Sequence, residues 1–127
     1  MRTISALSAF LGILAAPTLA QTTEGNDLLR ACQDAGQAQQ GFCIGWVIGA
    51  IEGIRFGVAY PMMMGASSAD EINDMSNSLL MNCLPDNVEN SQYVDVVVRH
   101  LERHPEKRHH PARFLALEAL QEAFPCG

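Results

Sequence analysis

Every histidine of the chain lies in the segment HLERHPEKRHHP, which begins at residue 100. His100 and His104 are four residues apart, so a helix would place both imidazoles on one face, where they could bind zinc. The HExxH spacing of metalloproteases is absent. The segment also suits a helix end, because its basic side chains interact favourably with the C-terminal dipole and Pro105 then ends the helix. We therefore expect no metal and no cofactor here.

Four cysteines follow the first 20 residues: Cys32, Cys43, Cys83 and Cys126. A cysteine paired with a histidine can act as a nucleophile. An even number of cysteines in a small exported domain instead predicts two disulfide bonds. The sequence contains neither the GxSxG motif of serine hydrolases nor a glycine-rich phosphate loop, and its carboxylates are scattered. We expect no catalytic residues and no enzymatic activity.

The start of the chain has the pattern of a secretory signal peptide. Arg2 gives a positive start, residues 4–16 form an apolar run, and Thr18 and Ala20 stand at the small-residue positions before a cleavage site. A membrane anchor is the alternative, but the apolar run is shorter than the roughly 20 residues that a span needs. We predict cleavage after Ala20, which leaves a single mature domain of residues 21–127.

The composition restricts both the partners and the fold. The 127 residues include 8 lysines and arginines and 14 acidic side chains, so the formal net charge is −6. An acidic protein is a poor partner for phosphate backbones, and we expect no nucleic acid. Strand-like alternation is nearly absent, whereas helical periodicity runs throughout. The sequence predicts an all-α fold, a small up-and-down bundle of four main helices stapled by disulfides.

The four main helices are expected from Asn26 or Asp27 to about residue 34, and over residues 42–60, 88–103 and 112–124. Pro61 should end the second helix. Residues 62–70 then form a loop, from which Asp70 caps a short helical piece that reaches residue 80.

Helical spacing also predicts which faces are buried. In the second helix these are Phe42, Trp46, Ile48 and Ile51. In the last helix they are Leu115, Ala116, Ala119, Leu120 and Ala123. The third helix is rich in valine, which also suits a strand. Its apolar residues nevertheless have the spacing of one helix face: Val94, Val97, Val98 and Leu101.

The second helix carries a glycine at every fourth position, in GFCIGWVIGAIEGIRFG. This spacing leaves a groove without side chains along one ridge, at Gly45, Gly49 and Gly53. Such spacing is typical of paired membrane helices, but Glu52 and Arg55 would lie mid-span, where charges are costly. We expect a helix that does not span a membrane and whose groove receives another helix. Whether that helix belongs to the same chain or to a second subunit stays open.

The order of the helices predicts how the cysteines pair. On one continuous helix Cys32 and Cys43 would lie about 16 Å apart, too far to bond. The glycines at 36 and 41 can instead fold the second helix back onto the first. Cys83 precedes the third helix and Cys126 follows the last, so an antiparallel hairpin brings them together. We predict the pairs Cys32–Cys43 and Cys83–Cys126.

Several stretches of the chain, taken in order, resemble the Rap/Tai family of immunity proteins. They are LLRAC, FCIGWVIG, CLPDNVENSQYVDVV, HPEKRHHPA and ALQEAFPC, and they extend over nearly all of residues 21–127. The resemblance implies a helical periplasmic protein associated with type VI secretion. It implies that the protein binds and inhibits a cell-wall amidase effector, in family examples as a homodimer and through a protruding loop.

Two groups of residues are candidates for contact with this partner. They are Met62, Met63 and Met64 after the second helix, and Lys107, Arg108 and His109 after the third. Methionine packs adaptably at binding surfaces; the alternative for these three is a loop that covers the core. The basic group could meet acidic groups around an enzyme cleft, or it could be a solvated turn between two helices.

Two other functions fit a small exported helical protein. One is a periplasmic stress or chaperone-like protein, which exposes apolar surface when acid protonates its carboxylates and histidines. The other is a structural component of the envelope. A neighbouring gene for a secreted amidase would favour the immunity function over both.

Overall fold

The computed structural model describes residues 22–65 and 67–127, and the predicted signal peptide lies outside them. Within these residues the chain forms five α-helices and no strand: α1 (Gly25–Gln33), α2 (Gln37–Met64), α3 (Ala69–Leu80), α4 (Asn90–Arg103) and α5 (Ala112–Ala123). A 3-10 turn, Pro105–Lys107, connects α4 to α5. The all-α prediction is confirmed, and α3 is a full helix beside the four main ones.

The core lies between α1, the first half of α2, α4 and α5. Its largest fully buried apolar side chains come from all four elements: Leu28, Val47, Val97, Leu101 and Leu115. The buried faces predicted for α4 and α5 are largely confirmed, although Ala123 is exposed.

The buried stripe of α2 agrees with the prediction at Ile51 but not elsewhere, since Trp46 and Ile48 are only half-buried. It consists of Cys43, Val47 and Ile51, whereas Phe42 is 46% exposed. Residues spaced by four form a narrow stripe, because α2 turns only one edge toward the core. Most of the α2 surface is therefore left uncovered by the described chain.

Both predicted disulfides are confirmed. Cys32–Cys43 and Cys83–Cys126 each join Cα atoms 5.0 Å apart. The chain reverses between α1 and α2 within residues 34–36, where the Gly36 amide donates to Asp34 Oδ1 at 2.7 Å. The second bridge connects the segment after α3 to the end of the chain, and it closes the loop that contains α4 and α5.

The prediction that Pro61 ends the second helix was wrong, because α2 continues to Met64. Proline lacks the N–H that would bond to the carbonyl of Gly57, one turn earlier. Gly57 and Pro61 are both exposed, so water can donate a hydrogen bond to the Gly57 carbonyl in place of the missing N–H. The helix therefore continues past Pro61. Met62, Met63 and Met64 therefore form the last turn of α2 rather than a loop.

The start of α3 also differs by a few residues from the prediction. Ser68, not Asp70, caps this helix, in a capping box with Glu71. Ser68 Oγ accepts from the Glu71 amide at 3.2 Å, and Glu71 Oε2 accepts from the Ser68 amide at 3.0 Å. These two bonds satisfy amides that the first turn of any helix leaves without a partner.

Residues 55–81 form a helical arm that extends beyond the core. Among its described residues only Ser76 and Leu80 are buried. The arm consists of the end of α2 and the helix α3. This α3 helix packs mainly against α2 and hardly contacts the other helices. Side chains at the end of α2 and on the outer side of α3 are therefore left without cover.

In the described part of the chain, α2 is the one helix with the length and apolar composition of a membrane span. Only 17% of its most apolar 18-residue window is buried. The helix is nevertheless bonded to α1 through Cys32–Cys43 and contacts each of the other four helices. It is thus an integral part of the bundle with one long uncovered face.

Candidate partner-binding site

The predicted glycine groove lies on the uncovered face of α2. At Gly45, Gly49 and Gly53, which we call the glycine ridge, an added Cβ would meet no atom within 4 Å. The ridge forms the floor of an open cleft of about 560 Å³, lined also by Trp46, Ile54 and Arg113. No helix among the described residues fills it. The sequence left open whether the groove receives a helix of the same chain or of a second subunit. The described helices of this chain do not enter it.

The face of α2 that carries the glycine ridge continues onto the arm. At 100° per residue, Phe56 and Tyr60 follow Gly49 and Gly53 along the same side of the helix. Their rings lie with centroids 5.6 Å apart and are about half exposed. A groove without side chains is thus followed, on one face, by two large aromatic rings.

Exposed apolar side chains are concentrated on the helical arm. Of ten large ones in the described residues, seven lie there: Phe56, Tyr60, Met63, Met64, Met75, Leu79 and Met81. Met64 is the most exposed of them, at 74%. Such a concentration is typical of a surface that binds another molecule. Two of the three methionines predicted as contacts belong to it, whereas Met62 is half-buried.

Arg55 fixes the position of α3 against α2. Its guanidinium donates to three amide side chains, at distances between 3.1 and 3.4 Å: Asn73, Asn77 and Asn82. This charged residue of an apolar helix therefore satisfies its donors with acceptors from α3 and the segment after it. These bonds make the arm a defined surface instead of a loose extension.

The predicted basic group in the turn after α4 is engaged within the chain. Lys107 Nζ lies 2.9 Å from Glu118 Oε2, an interaction that raises the pKa of Lys107 and lowers the pKa of Glu118. Arg108 donates from Nε to the carbonyl of Leu101 at 2.6 Å and from Nη2 to that of Glu102 at 3.0 Å. Arg108 thereby satisfies carbonyls at the end of α4.

His109, the third residue of that group, is exposed and stacks on His110 with ring centroids 4.1 Å apart. The turn therefore offers a partner fewer unused donors than its sequence indicates. The arm offers the larger uncovered surface.

The other two histidines meet a carboxylate from α5. Glu122 Oε2 lies 2.8 Å from His100 Nδ1 and 3.8 Å from His104 Nε2. The hydrogen bond to His100 is the main cause that lowers the pKa of the Glu122 carboxyl. The sequence identified both histidines but not Glu122, because nothing in local spacing shows which residue of the next helix packs against them.

The arm and the ridge together leave a large apolar surface uncovered, and a comparison of the whole domain with known families indicates what kind of protein carries it. The family model of the Rap1a immunity proteins matches residues 24–126. The chain belongs to the Rap1a immunity protein family. No curated protein and no solved structure matches it.

Membership of the Rap1a family confirms the resemblance to the Rap/Tai immunity proteins. It indicates an immunity protein directed against a secreted effector. The matched residues include both disulfides, the glycine ridge and the arm. Within these matched residues, α2 and α3 carry most of the exposed large apolar side chains.

Proposed function

We propose that this Rap1a family protein is exported to the periplasm, where it binds and inhibits a peptidoglycan amidase delivered by type VI secretion. Two observations support the compartment: the signal-peptide pattern of residues 1–20 and the two disulfides. Disulfides form and persist in the periplasm, whereas the cytosol keeps thiols reduced.

The helical arm is the observation that carries the proposal. Four apolar side chains at the end of α2 and on the outer side of α3 are exposed to solvent: Met63, Met64, Met75 and Leu79. In the isolated chain they add little to stability, because their apolar surface is not buried. Methionine adapts its shape to an apolar cleft. Because Arg55 holds α3 in place, the partner does not have to order the arm on binding, which lowers the entropic cost of association.

We place the contact on the arm rather than on the turn after α4. Lys107 and Arg108 already donate to Glu118 and to the α4 carbonyls, so a partner would have to displace those bonds. Apolar side chains on the arm have no such bonds to lose.

The glycine ridge is the proposed contact between two copies of the chain. In an antiparallel pair of α2 helices, Phe56 and Tyr60 of one copy would face the ridge of the other, near Gly45 and Gly49. The same residues then contribute on both sides, as the two-fold symmetry of a homodimer requires. Rings packed in these grooves would also offset the helix-forming cost of the glycines, roughly 0.5–1 kcal/mol each.

Survival of cells that produce a periplasmic amidase effector tests the proposal. Cells with this protein should survive, and cells with Met64→Glu, which puts a charge on the arm, should lyse. Phe114→Glu is the matched control, because Phe114 is likewise an exposed large apolar residue, at 51%, but lies on α5. Equal survival with Met64→Glu and the native protein would exclude the arm, and no protection against any amidase would favour the stress-protein alternative.

A further inference from the structure

The side chains between α4 and α5 contain a donor set that the immunity function does not use. His100, His104 and Glu122 each direct one ligand atom into the same space, and these atoms all lie within 4.8 Å of one another. Two imidazole nitrogens and a carboxylate oxygen form a donor set that zinc prefers in proteins. Although the sequence alone predicted no metal here, we propose that this cluster binds a divalent transition metal, with Zn²⁺ as the ion that suits it best.

Two of the three ligand-atom distances in the cluster lie near those of a zinc site, and all three are within 4.8 Å. Bonds of about 2.0–2.1 Å in a tetrahedron place neighbouring ligand atoms about 3.3–3.4 Å apart. Glu122 Oε2 lies 2.8 Å from His100 Nδ1 and 3.8 Å from His104 Nε2, values on either side of that spacing. The Glu122 side chain is 44% exposed, so its carboxylate can adjust to a bound ion, and solvent can supply a water as the fourth ligand.

The second nitrogen of each imidazole faces another carboxylate. His104 Nδ1 lies 3.3 Å from Glu106 Oε1, and His100 Nε2 lies 3.6 Å from Glu118 Oε2. Metal-bound histidines usually donate their other N–H to a carboxylate, which fixes the ring and its tautomer. His104 thus has an outer partner within hydrogen-bond distance, whereas the Glu118 oxygen lies just beyond that distance from His100.

The surroundings of the buried His100 side chain are compatible with a metal on Nδ1. Its side chain is 4% exposed, and its Nε2 atom is buried without a hydrogen-bond partner. Buried polar atoms without a partner are rare in native proteins and call for a physical explanation. A metal on Nδ1 would place the ring proton on Nε2, directed toward Glu118, and would draw the two groups together.

The charges around the cluster also favour a cation. Three negatively charged side chains lie beside the histidines: Glu106, Glu118 and Glu122. Only two positively charged side chains, Arg103 and Lys107, pair with these carboxylates. Arg103 Nη2 binds Glu122 Oε1 at 3.1 Å, so it occupies the oxygen that points away from the histidines and leaves Oε2 for the metal. A bound ion would connect α4 to α5 and stabilise the folded state by mass action.

Calorimetric titration of the protein with Zn²⁺, on a sample without a polyhistidine tag, tests this inference. We expect one equivalent to bind at micromolar concentrations, with a rise in melting temperature. His104→Gln and Glu122→Gln should weaken binding at least about tenfold, since even partners outside the ligand shell contribute that much. Both residues are partly exposed, so the variants should fold, which far-UV circular dichroism verifies.

His109→Gln is the matched control, because His109 and His110 form the other histidine pair but belong to no three-ligand group in the described chain. This variant should bind Zn²⁺ like the native protein. Absence of an equivalent of bound Zn²⁺ in the native protein would overturn the proposal. So would unchanged affinity in His104→Gln, or an equal loss in His109→Gln.

Discussion

Arg55 on α2 donates from Nη2 to the side-chain oxygen of Asn77 on α3, at 3.2 Å. The bond connects the one long apolar helix among the described residues to the helix that packs against its end. With the parallel bonds to Asn73 and Asn82, it determines where the arm lies. A charged side chain inside an apolar helix therefore has a structural purpose here.

Arg55→Met should loosen the arm without unfolding the bundle. The change removes three hydrogen bonds and leaves the Oδ1 atom of buried Asn82 without its donor, at a cost of about 1–3 kcal/mol. Amide hydrogen exchange should become faster in α3 and stay unchanged in α4 and α5. Arg30→Met, which removes only an exposed pair with Asp27, should leave exchange in α3 unaltered. Full protection of α3 in Arg55→Met would show that packing alone holds the arm.

Gly49→Leu should separate the two copies of the proposed homodimer. In an isolated chain a Cβ added at Gly49 meets no atom within 4 Å, so at high dilution we expect no loss in the free energy of unfolding. At micromolar concentrations light scattering should show monomers, because the leucine fills the groove that receives the aromatic rings. Gln40→Leu places the same side chain at the exposed start of α2, on the opposite side of the helix, and should leave the dimer intact. A monomeric native protein would contradict the proposed contact.

Removal of the longer disulfide loop should cost more than removal of the shorter one. Cys83 and Cys126 are 43 residues apart and Cys32 and Cys43 are 11 apart. The chain-entropy relation gives about 4 kcal/mol for the first pair and about 3 kcal/mol for the second. Urea unfolding of the two double alanine variants measures the difference. The reverse order would mean that loss of buried Cys43 from the core outweighs loop closure.

Glu118 should contribute to the pH dependence of stability on the acid side. Its hydrogen bond to Lys107, with a smaller effect of His100, holds its pKa below the ordinary value. The contribution is therefore present above the unfolded pKa of about 4.3, and it is lost in the interval below that value, as the pH falls through the lower folded pKa. The free energy of unfolding of the native protein should exceed that of Glu118→Gln near neutrality by less than about 1 kcal/mol, because the pair is half exposed.

The difference between native protein and Glu118→Gln should shrink through that interval. Asp86→Asn, at an exposed carboxylate outside the cluster, should change stability little at either pH. A difference that stays constant from about pH 7 to about pH 3 would show that protonation of Glu118 does not affect folding.

Local patterns predicted the disulfide pairs and the buried faces of α4 and α5, since these follow from helix order and spacing. They failed at Pro61, where exposure of Gly57 lets the helix continue, a fact of tertiary structure. They identified His100 and His104 but not Glu122, which lies on another helix. The glycine spacing predicted a groove, yet only the folded chain shows that its described helices leave the groove empty.

Inhibition of a purified type VI peptidoglycan amidase by the purified protein tests the central claim most directly. Hydrolysis of peptidoglycan is followed as the concentration of the native protein, Met64→Glu or Phe114→Glu rises. The account predicts that the native protein and Phe114→Glu abolish hydrolysis at about one copy per amidase, whereas Met64→Glu requires a large excess. Undiminished hydrolysis at saturating native protein, with every amidase encoded beside its gene, would contradict the account.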